Sequence, residues 1–374
     1  MSEIGKVIAP NVCEVFVMCF EIQQNVSLAE YTTFNVGGNA RYFVEARDES
    51  EVSRAIEFAE KNALEIFILG GGSNVLIADE GFDGLVIKVA LKGVARSAGS
   101  SETVFVNAGA GEDWDNLVAF CVGEDLQGFE CLSGIPGLVG GTPIQNVGAY
   151  GQEVSETIVS VRVYDRKTKK SSELNNAECE FAYRRSIFNT IEKNRYIVLA
   201  VTYKLKSNGE PKIAYRDLQN FFGEKQPTLQ ETREAVLEIR RAKSMVIDEN
   251  DVNSQSAGSF FKNPIVSLEE FAEFEKIAQI LKIGNVPHFK VDEKFVKIPA
   301  AWLIEKADFH KGFIRGKVGI STKHTLAIIN RGNATAQEIL DFKCEIQSKV
   351  KDRFHLELKP EPVFIGFEKI NENC

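Results

Sequence analysis

The segment Ser133–Gly151, SGIPGLVGGTPIQNVGAYG, carries glycine at positions 134, 137, 140, 141, 148 and 151 and contains no Asp, Glu, Lys or Arg. Without Cβ atoms, such a loop lets main-chain N–H groups come close to a ligand phosphate. Gln145, Asn146 and Tyr150 are its polar handles. A long, neutral, donor-rich loop suits a pyrophosphate attached to a planar ring that needs amide-type hydrogen bonds, which points to a nucleotide cofactor. A second cluster, Gly70-Gly71-Gly72-Ser73-Asn74, follows directly on the short apolar run Glu65–Leu69. For one such cluster alone, a tight turn is the plain alternative. The two common phosphate patterns do not fit. Gly316-Lys317-Val318 lacks the hydroxyl residue of a Walker A loop, and Gly109-Ala110-Gly111 has Trp114 where the dinucleotide pattern needs its last glycine.

Outward from these loops, periodicity predicts a β-α-β opening: a strand over 42–48, an amphipathic helix over 51–61 with Val52, Ala55, Ile56 and Ala59 on one side, and a buried strand over 65–69. Further strands are predicted over 75–77, 85–89, 104–108, 158–165 and 196–205, with a helix over 114–122. The later part predicts helices over 228–241, 267–281 and 335–350, and strands over 327–330 and 354–358. Strands and helices interleave throughout, so the class is mixed α and β. The turn at Ser207–Pro211 and the loop at Ile247–Ser256 are the candidate boundaries.

At 374 residues the chain is long enough for two or three domains at roughly 150 residues each. Its 44% hydrophobic and 26% charged residues are ordinary for a globular protein. A net charge of −9 argues against a nucleic-acid partner. The seven cysteines (13, 19, 121, 131, 179, 344, 374) form no CxxC pair and no even framework, and no HExxH occurs. A reduced, cytoplasmic, metal-free protein is expected. The apolar run Val12–Phe20 is interrupted by Glu14 and is too short to cross a bilayer, so no membrane partner is expected. It reads as an extension over 1–24, with Met18 an alternative natural start.

Several blocks together resemble one family. They are Thr33-Phe34-Asn35-Val36-Gly37-Gly38, Ile68–Asn74, Ile135-Pro136-Gly137 with Pro143–Gly151, Tyr183-Arg184, Ala257–Pro264 and Lys359-Pro360-Glu361. In this order, from about Tyr31 to Gly366, the chain is similar to the UDP-N-acetylenolpyruvoylglucosamine reductases. The resemblance implies an α+β architecture: a two-subdomain FAD-binding fold of the vanillyl-alcohol oxidase (PCMH) type over 25–207, and a third, C-terminal α+β substrate-binding domain over 208–374. It also implies non-covalent FAD, NADPH as hydride donor, and a UDP-sugar enolpyruvyl ether as substrate in peptidoglycan precursor synthesis. A monomer is expected.

The same resemblance assigns roles. Cofactor contacts fall to Gly70, Gly71, Gly72, Ser73 and Asn74, and to Ile135, Pro136, Gly137, Gly140, Gly141, Pro143, Gln145, Asn146, Gly148, Ala149, Tyr150 and Gly151. Arg184 is implied to hold the substrate carboxylate, for which a permanently charged planar fork is suited. Ser259 is implied to protonate C2, with Lys262 and Asn263 as neighbours able to assist. Glu361 is implied to stand near the enol as an acid, with its pKa raised by burial. Taken alone, these would read as a surface arginine, a capping serine and an exposed carboxylate. Tyr150, Tyr183, Tyr215, Lys243, Asn263 and His324 are implied substrate contacts, His324 standing where some relatives carry glutamine. Phe289 falls near a position where some relatives use a tyrosine. Cys131 precedes the long loop, but the loop itself has no Cys or His to attach a flavin. The rival activities are an FAD-dependent oxidase of the same fold acting on a small alcohol or 2-hydroxy acid, and a flavin- or UDP-sugar-binding protein without catalysis.

Overall fold

The computed structural model of the chain describes residues 20–99 and 102–367. All of the apolar N-terminal run except Phe20, and with it a start at Met18, lies outside the described residues.

The β-α-β opening forms as the periodicity predicts. Strand Asn39–Ala46 and strand Glu65–Leu69 both run parallel to Phe82–Val89, which lies between them, while Gln23–Ser27 adds antiparallel at the outer edge. The central strand is buried along Leu85, Val86 and Ile87, the continuous apolar run typical of a strand covered on both faces. Helix Glu49–Lys61 lays Val52, Ala55, Ile56 and Ala59 onto this sheet, and the Asp48 carboxylate caps it by accepting from Glu51 N–H at 2.8 Å.

The second sheet is antiparallel, in the order Lys170–Asn175, Ile158–Asp165, Tyr196–Ser207, Thr103–Gly109, Val94–Ala98. Helix Trp114–Gly123 packs Trp114, Leu117, Val118 and Cys121 into the apolar cluster that the two sheets share. The strand Lys170–Asn175 is polar and largely exposed, so its sequence KSSELN reads as a turn; hydrogen bonds to Ile158–Asp165 make it a strand.

The later part carries helices Leu229–Ala242, Leu268–Ile280 and Ala336–Phe354. Each begins at a Thr or Ser whose side chain is paired reciprocally with a Glu three residues on: Thr228 with Glu231, Ser267 with Glu270, Thr335 with Glu338. Two small three-stranded antiparallel sheets complete it. The strand predicted over 354–358 does not form. Phe354 instead ends the long helix, whose buried face runs Ile339, Phe342, Ile346, Val350, Phe354, and His355 closes it with φ 56°. Leu358 is buried beyond that cap, and its carbonyl accepts from Gln347 Nε2 at 2.6 Å.

The chain end returns to the beginning. Strand Val363–Ile365 pairs parallel with Val75–Ile77, immediately after the first glycine loop. The second large apolar cluster is therefore built from Phe34, Val36 and Leu76 together with residues between Ala257 and Leu358. This closure brings the last sequence block, around Glu361, against the first glycine loop.

Candidate active site

The two glycine loops interlock. A Cβ on Gly71 would lie 2.6 Å from Gly137 Cα, and the Ser73 hydroxyl donates to Pro136 O at 2.9 Å. Gly137 needs its φ of +127°, and Gly140 is pressed so tightly on Ala110 that a Cβ would stand 2.7 Å away. Gly70 and Gly141, by contrast, face open space. Ile135 packs on the first apolar cluster and Pro143 is buried behind the loop. Asn74 Nδ2 donates to Gln145 Oε1 at 2.9 Å, tying the polar ends of the loops together. Among the described residues, the main-chain N–H groups of Gly71, Gly72, Ser73 and Asn74 meet no protein acceptor. Unpaired donors lining a Cβ-free cradle are what a dinucleotide phosphate requires. These residues fit FAD.

The end of the long loop is held by its own polar groups. Asn146 Nδ2 donates to Glu153 Oε2 at 2.7 Å and to Ala182 O at 3.2 Å. Gly148-Ala149 pairs with Gln152-Glu153 across a turn made by Tyr150 and Gly151. Asn146, Tyr150 and Arg184 all have positive φ (46°, 50° and 54°), a backbone region costly for side-chain residues and concentrated at functional sites.

Arg184 and its neighbour separate cleanly. Arg185 is exposed, whereas the left-handed turn sends the Arg184 guanidinium inward, where only 20% of the side chain is accessible. Nη2 donates to Gly148 O at 3.1 Å. Nε lies 2.9 Å from Glu361 Oε1, but its N–H is not aimed at that oxygen, so the contact is ionic rather than a hydrogen bond. Glu361 is anchored by its main chain between two blocks: its N–H donates to Phe260 O at 2.8 Å, and its carbonyl accepts from Asn74 Nδ2 at 3.3 Å. Burial pushes the Glu361 carboxyl above the usual carboxylate value, with Arg184 and Lys262 pulling the other way. The Lys262 ammonium is itself lowered by burial, partly offset by Glu361.

Ser259 precedes Phe260 and Phe261, which are both fully buried and pin the segment to the second apolar cluster. Its Oγ lies 3.2 Å from His324 Nε2. Tyr183 and Asn263 are adjacent, and burial raises the Tyr183 phenol. Asn263 Oδ1 also accepts from Ala300 N–H at 2.8 Å and so starts helix Ala300–Lys306.

A second group stands on the helical side. The Tyr150 and Tyr215 rings meet edge to face at 5.5 Å, and Lys243 Nζ lies 5.8 Å from the Tyr150 centroid. Lys243 Nζ is held at 2.6 Å by Asp217 Oδ2. Phe289 is more than half exposed on an edge strand. Cys131 is buried, its thiol donates to Lys212 O at 3.2 Å, and burial raises its pKa, so it is a poor nucleophile for a flavin bond.

Three residues at these groups were not singled out by sequence. Lys297 Nζ sits 4.6 Å from the Tyr183 ring centroid. Asp217 pairs with Lys243. Arg240 is buried one helical turn before Lys243, with Nη2 donating to Met245 O at 2.6 Å and Nε without a hydrogen bond. The only sequence signal was Arg240 itself, a charged residue on the apolar side of an amphipathic helix.

Interlocked Cβ-free loops with free N–H donors, backed by a buried cation and carboxyl, define a flavin-dinucleotide oxidoreductase site. The FAD binding domain family model matches residues 40–169, and the model of the UDP-N-acetylenolpyruvoylglucosamine reductase C-terminal domain matches residues 250–365. The chain is 45% identical to the UDP-N-acetylenolpyruvoylglucosamine reductase of Thermobifida fusca over 93% of its own length and 99% of that protein. With that of Streptomyces coelicolor it shares 42% over 91% of this chain and 89% of the other. The crystal structure of the reductase from Thermus caldophilus superposes with a TM-score of 0.62, covering 93% of this chain and 100% of that one at 25% identity. The chain belongs to the UDP-N-acetylenolpyruvoylglucosamine reductase family.

Proposed function

We propose that the chain uses NADPH to reduce the enolpyruvyl group of UDP-N-acetylenolpyruvoylglucosamine, giving UDP-N-acetylmuramate for peptidoglycan precursor synthesis. The observation that carries this is the Arg184–Glu361 pair, set between the first glycine loop and the Ser259 segment. An alcohol or 2-hydroxy-acid oxidase of the same fold would share the glycine loops but has no need for Ser259, Tyr215 or Glu361 in these places.

Bound FAD, held by Gly70–Asn74 and by the loop from Ile135 to Gly151, supplies the two-electron link between NADPH and C3 of the enolpyruvyl ether. The protein's part is to bind the ether, stabilise the negative charge that spreads onto its carboxylate, and deliver a proton to C2. Arg184 binds the carboxylate with the guanidinium edge that now faces Glu361. Entry of this second carboxylate makes an ionised Glu361 costlier still, so the buried residue takes a proton and becomes a donor to the enol oxygen. Ser259 gives its hydroxyl proton to C2. Tyr183 and Asn263 orient the enolpyruvyl end, while Tyr150, Tyr215 and Lys243 take the diphosphate.

We divide the chain into a cofactor domain over 25–207 and a substrate domain over 208–374, after an extension over 1–24; most of the first large apolar cluster falls within the former and most of the second within the latter. No helix among the described residues is long and apolar enough to cross a membrane. A monomeric, cytoplasmic enzyme drawing on soluble NADPH and nucleotide sugar completes the proposal.

The test is NADPH oxidation under nitrogen, which must depend on added UDP-N-acetylenolpyruvoylglucosamine. Ser259→Ala should leave flavin reduction by NADPH nearly intact and slow reoxidation by the sugar by orders of magnitude. Equal slowing of both halves removes Ser259 from the proton transfer. Reoxidation by oxygen alone would establish the oxidase.

A further inference from the structure

Ser259 is a poor acid by itself, and in the reaction proposed above its single proton must point at the substrate carbon. The side chain facing its Oγ is His324, with Nε2 at 3.2 Å. The two residues are held in register by main-chain bonds. Phe260 N–H donates to Leu326 O at 2.8 Å, joining the serine segment to the residues that follow His324. The turn carrying His324 is fixed in turn by Asn253. Its Oδ1 accepts from Thr322 N–H at 2.8 Å and from the hydroxyls of Ser321 and Thr322, both at 3.1 Å. The imidazole therefore has a rigid mounting and faces Ser259 Oγ.

We propose that His324 is a positioning residue for proton delivery, its Nε2–H donating to Ser259 Oγ so that the serine proton is directed at C2 of the substrate. This deepens the proposed reaction and rests on Ser259 as the C2 donor. A hydroxyl bonded to an imidazole either gives its proton to the ring or receives one from it. Only the second arrangement leaves the O–H free to point elsewhere, and it places a donor on the oxygen that becomes negative.

The ring is suited to that duty because it stays neutral. Burial, with the cations Lys243, Lys311 and Arg240 on the surrounding elements, lowers its pKa to about 4. A neutral imidazole has one N–H, which the proposal places on Nε2, within reach of Oγ. In the step, the Oγ–H bond breaks as the C2–H bond forms, the electron pair coming from the enol. Oγ is left as an alkoxide bonded by Nε2–H, and it recovers a proton from water once product departs. His324 neither gains nor loses a proton overall.

Anaerobic stopped-flow kinetics on the flavin-loaded enzyme separate the outcomes. His324→Ala should slow reoxidation by saturating enolpyruvyl sugar between about tenfold and a hundredfold, the range for losing a hydrogen bond to a charged group. Flavin reduction by NADPH should stay within about twofold. His324→Gln, whose amide N–H can reach Oγ, should restore reoxidation to within a few fold of the parent. If the alanine variant does not fold, His324→Phe keeps the ring volume without a donor and reads the same loss. The proposal is overturned if the donor-free variant reoxidises normally at saturation and only KM rises, which would make His324 a substrate ligand. It is also overturned if both halves slow alike, or if glutamine is as slow as alanine. Ser259→Ala measured alongside separates the levels: a normal rate there refutes the underlying assignment, whereas a slow serine variant beside a normal His324→Ala refutes the positioning role alone.

Discussion

Replacing Gly72 by alanine strikes the first glycine loop where its geometry is least forgiving. Gly72 has φ +66°, and a Cβ there would stand 1.7 Å from Tyr31 O. A side chain in that backbone region costs roughly 1–2 kcal/mol. Forced repacking around an overfilled site adds about 1–3 kcal/mol. Neither wall yields easily. Tyr31 ends the short helical turn Ala29–Tyr31, and Thr33 N–H donates to Gly72 O at 3.2 Å, so moving the loop breaks that bond. A destabilisation of about 2–5 kcal/mol follows, less than the roughly 5–15 kcal/mol that keeps an ordinary protein folded. Folded protein should therefore be recovered with its loop displaced and its free N–H donors out of place. The assay is flavin absorbance relative to protein absorbance after purification, together with the melting temperature. Most of the flavin should be lost, and Tm should fall by several degrees. Gly141→Ala is the matched control, because Gly141 has no strained φ and no atom within 4 Å of an added Cβ. It should melt like the parent in the absence of added flavin, any loss of flavin reporting a methyl group in the cofactor's space. A Gly72→Ala protein with a full flavin complement and an unchanged Tm would refute the cradle.

Arg184→Lys removes the fork and the Nη2 bond to Gly148 O, and should lower enolpyruvyl reduction at least about a hundredfold while NADPH still reduces the flavin; near-parent turnover would take Arg184 out of the site. Asp217→Asn frees Lys243 from a half-exposed ion pair worth about 0.5–1 kcal/mol, so KM for the UDP-sugar should fall roughly two- to fivefold, more at low salt. A raised KM would show that Asp217 assists binding instead of competing with the diphosphate. His324 should make stability depend on pH: its folded pKa of about 4 lies below the unfolded value near 6.5, so the unfolded chain binds the extra proton between them. Stability is then full above about pH 6.5 and falls on acidification through about pH 4, by up to about 3 kcal/mol at roughly 1.4 kcal/mol per pH unit. Denaturant titrations of His324→Gln should show a shallower decline over that window, and an identical decline would assign the effect to other groups.

The glycine loops, the β-α-β opening and the capped helices were legible because each depends on local chemistry. Gly71 and Gly72 meet main-chain walls, the burial of the first helix follows its 3.6-residue period, and Thr228, Ser267 and Thr335 announce their helices with a Glu three residues on. Reading failed where a residue's state depends on distant chain. Lys170–Asn175 is polar, yet it is a strand because Ile158–Asp165 supplies partners. Phe354–Leu358 alternates like a strand, yet Phe354 is the last apolar contact of a helix.

The site divides in the same way. Residue identity alone, by resemblance, was enough to mark Arg184, Ser259 and Glu361 as candidates, since the proposed chemistry calls for a permanent cation, a hydroxyl and a carboxyl. That Arg184 rather than Arg185 turns inward, that Glu361 is buried beside it, and that His324 faces Ser259 were decided by packing between segments 65 to 287 residues apart in sequence, as in the bonds Ser259–His324 and Asn74–Glu361. Side-chain type is carried by the local code, whereas proximity and desolvation arise only when the parallel pairing of Val363–Ile365 with Val75–Ile77 closes the chain on itself.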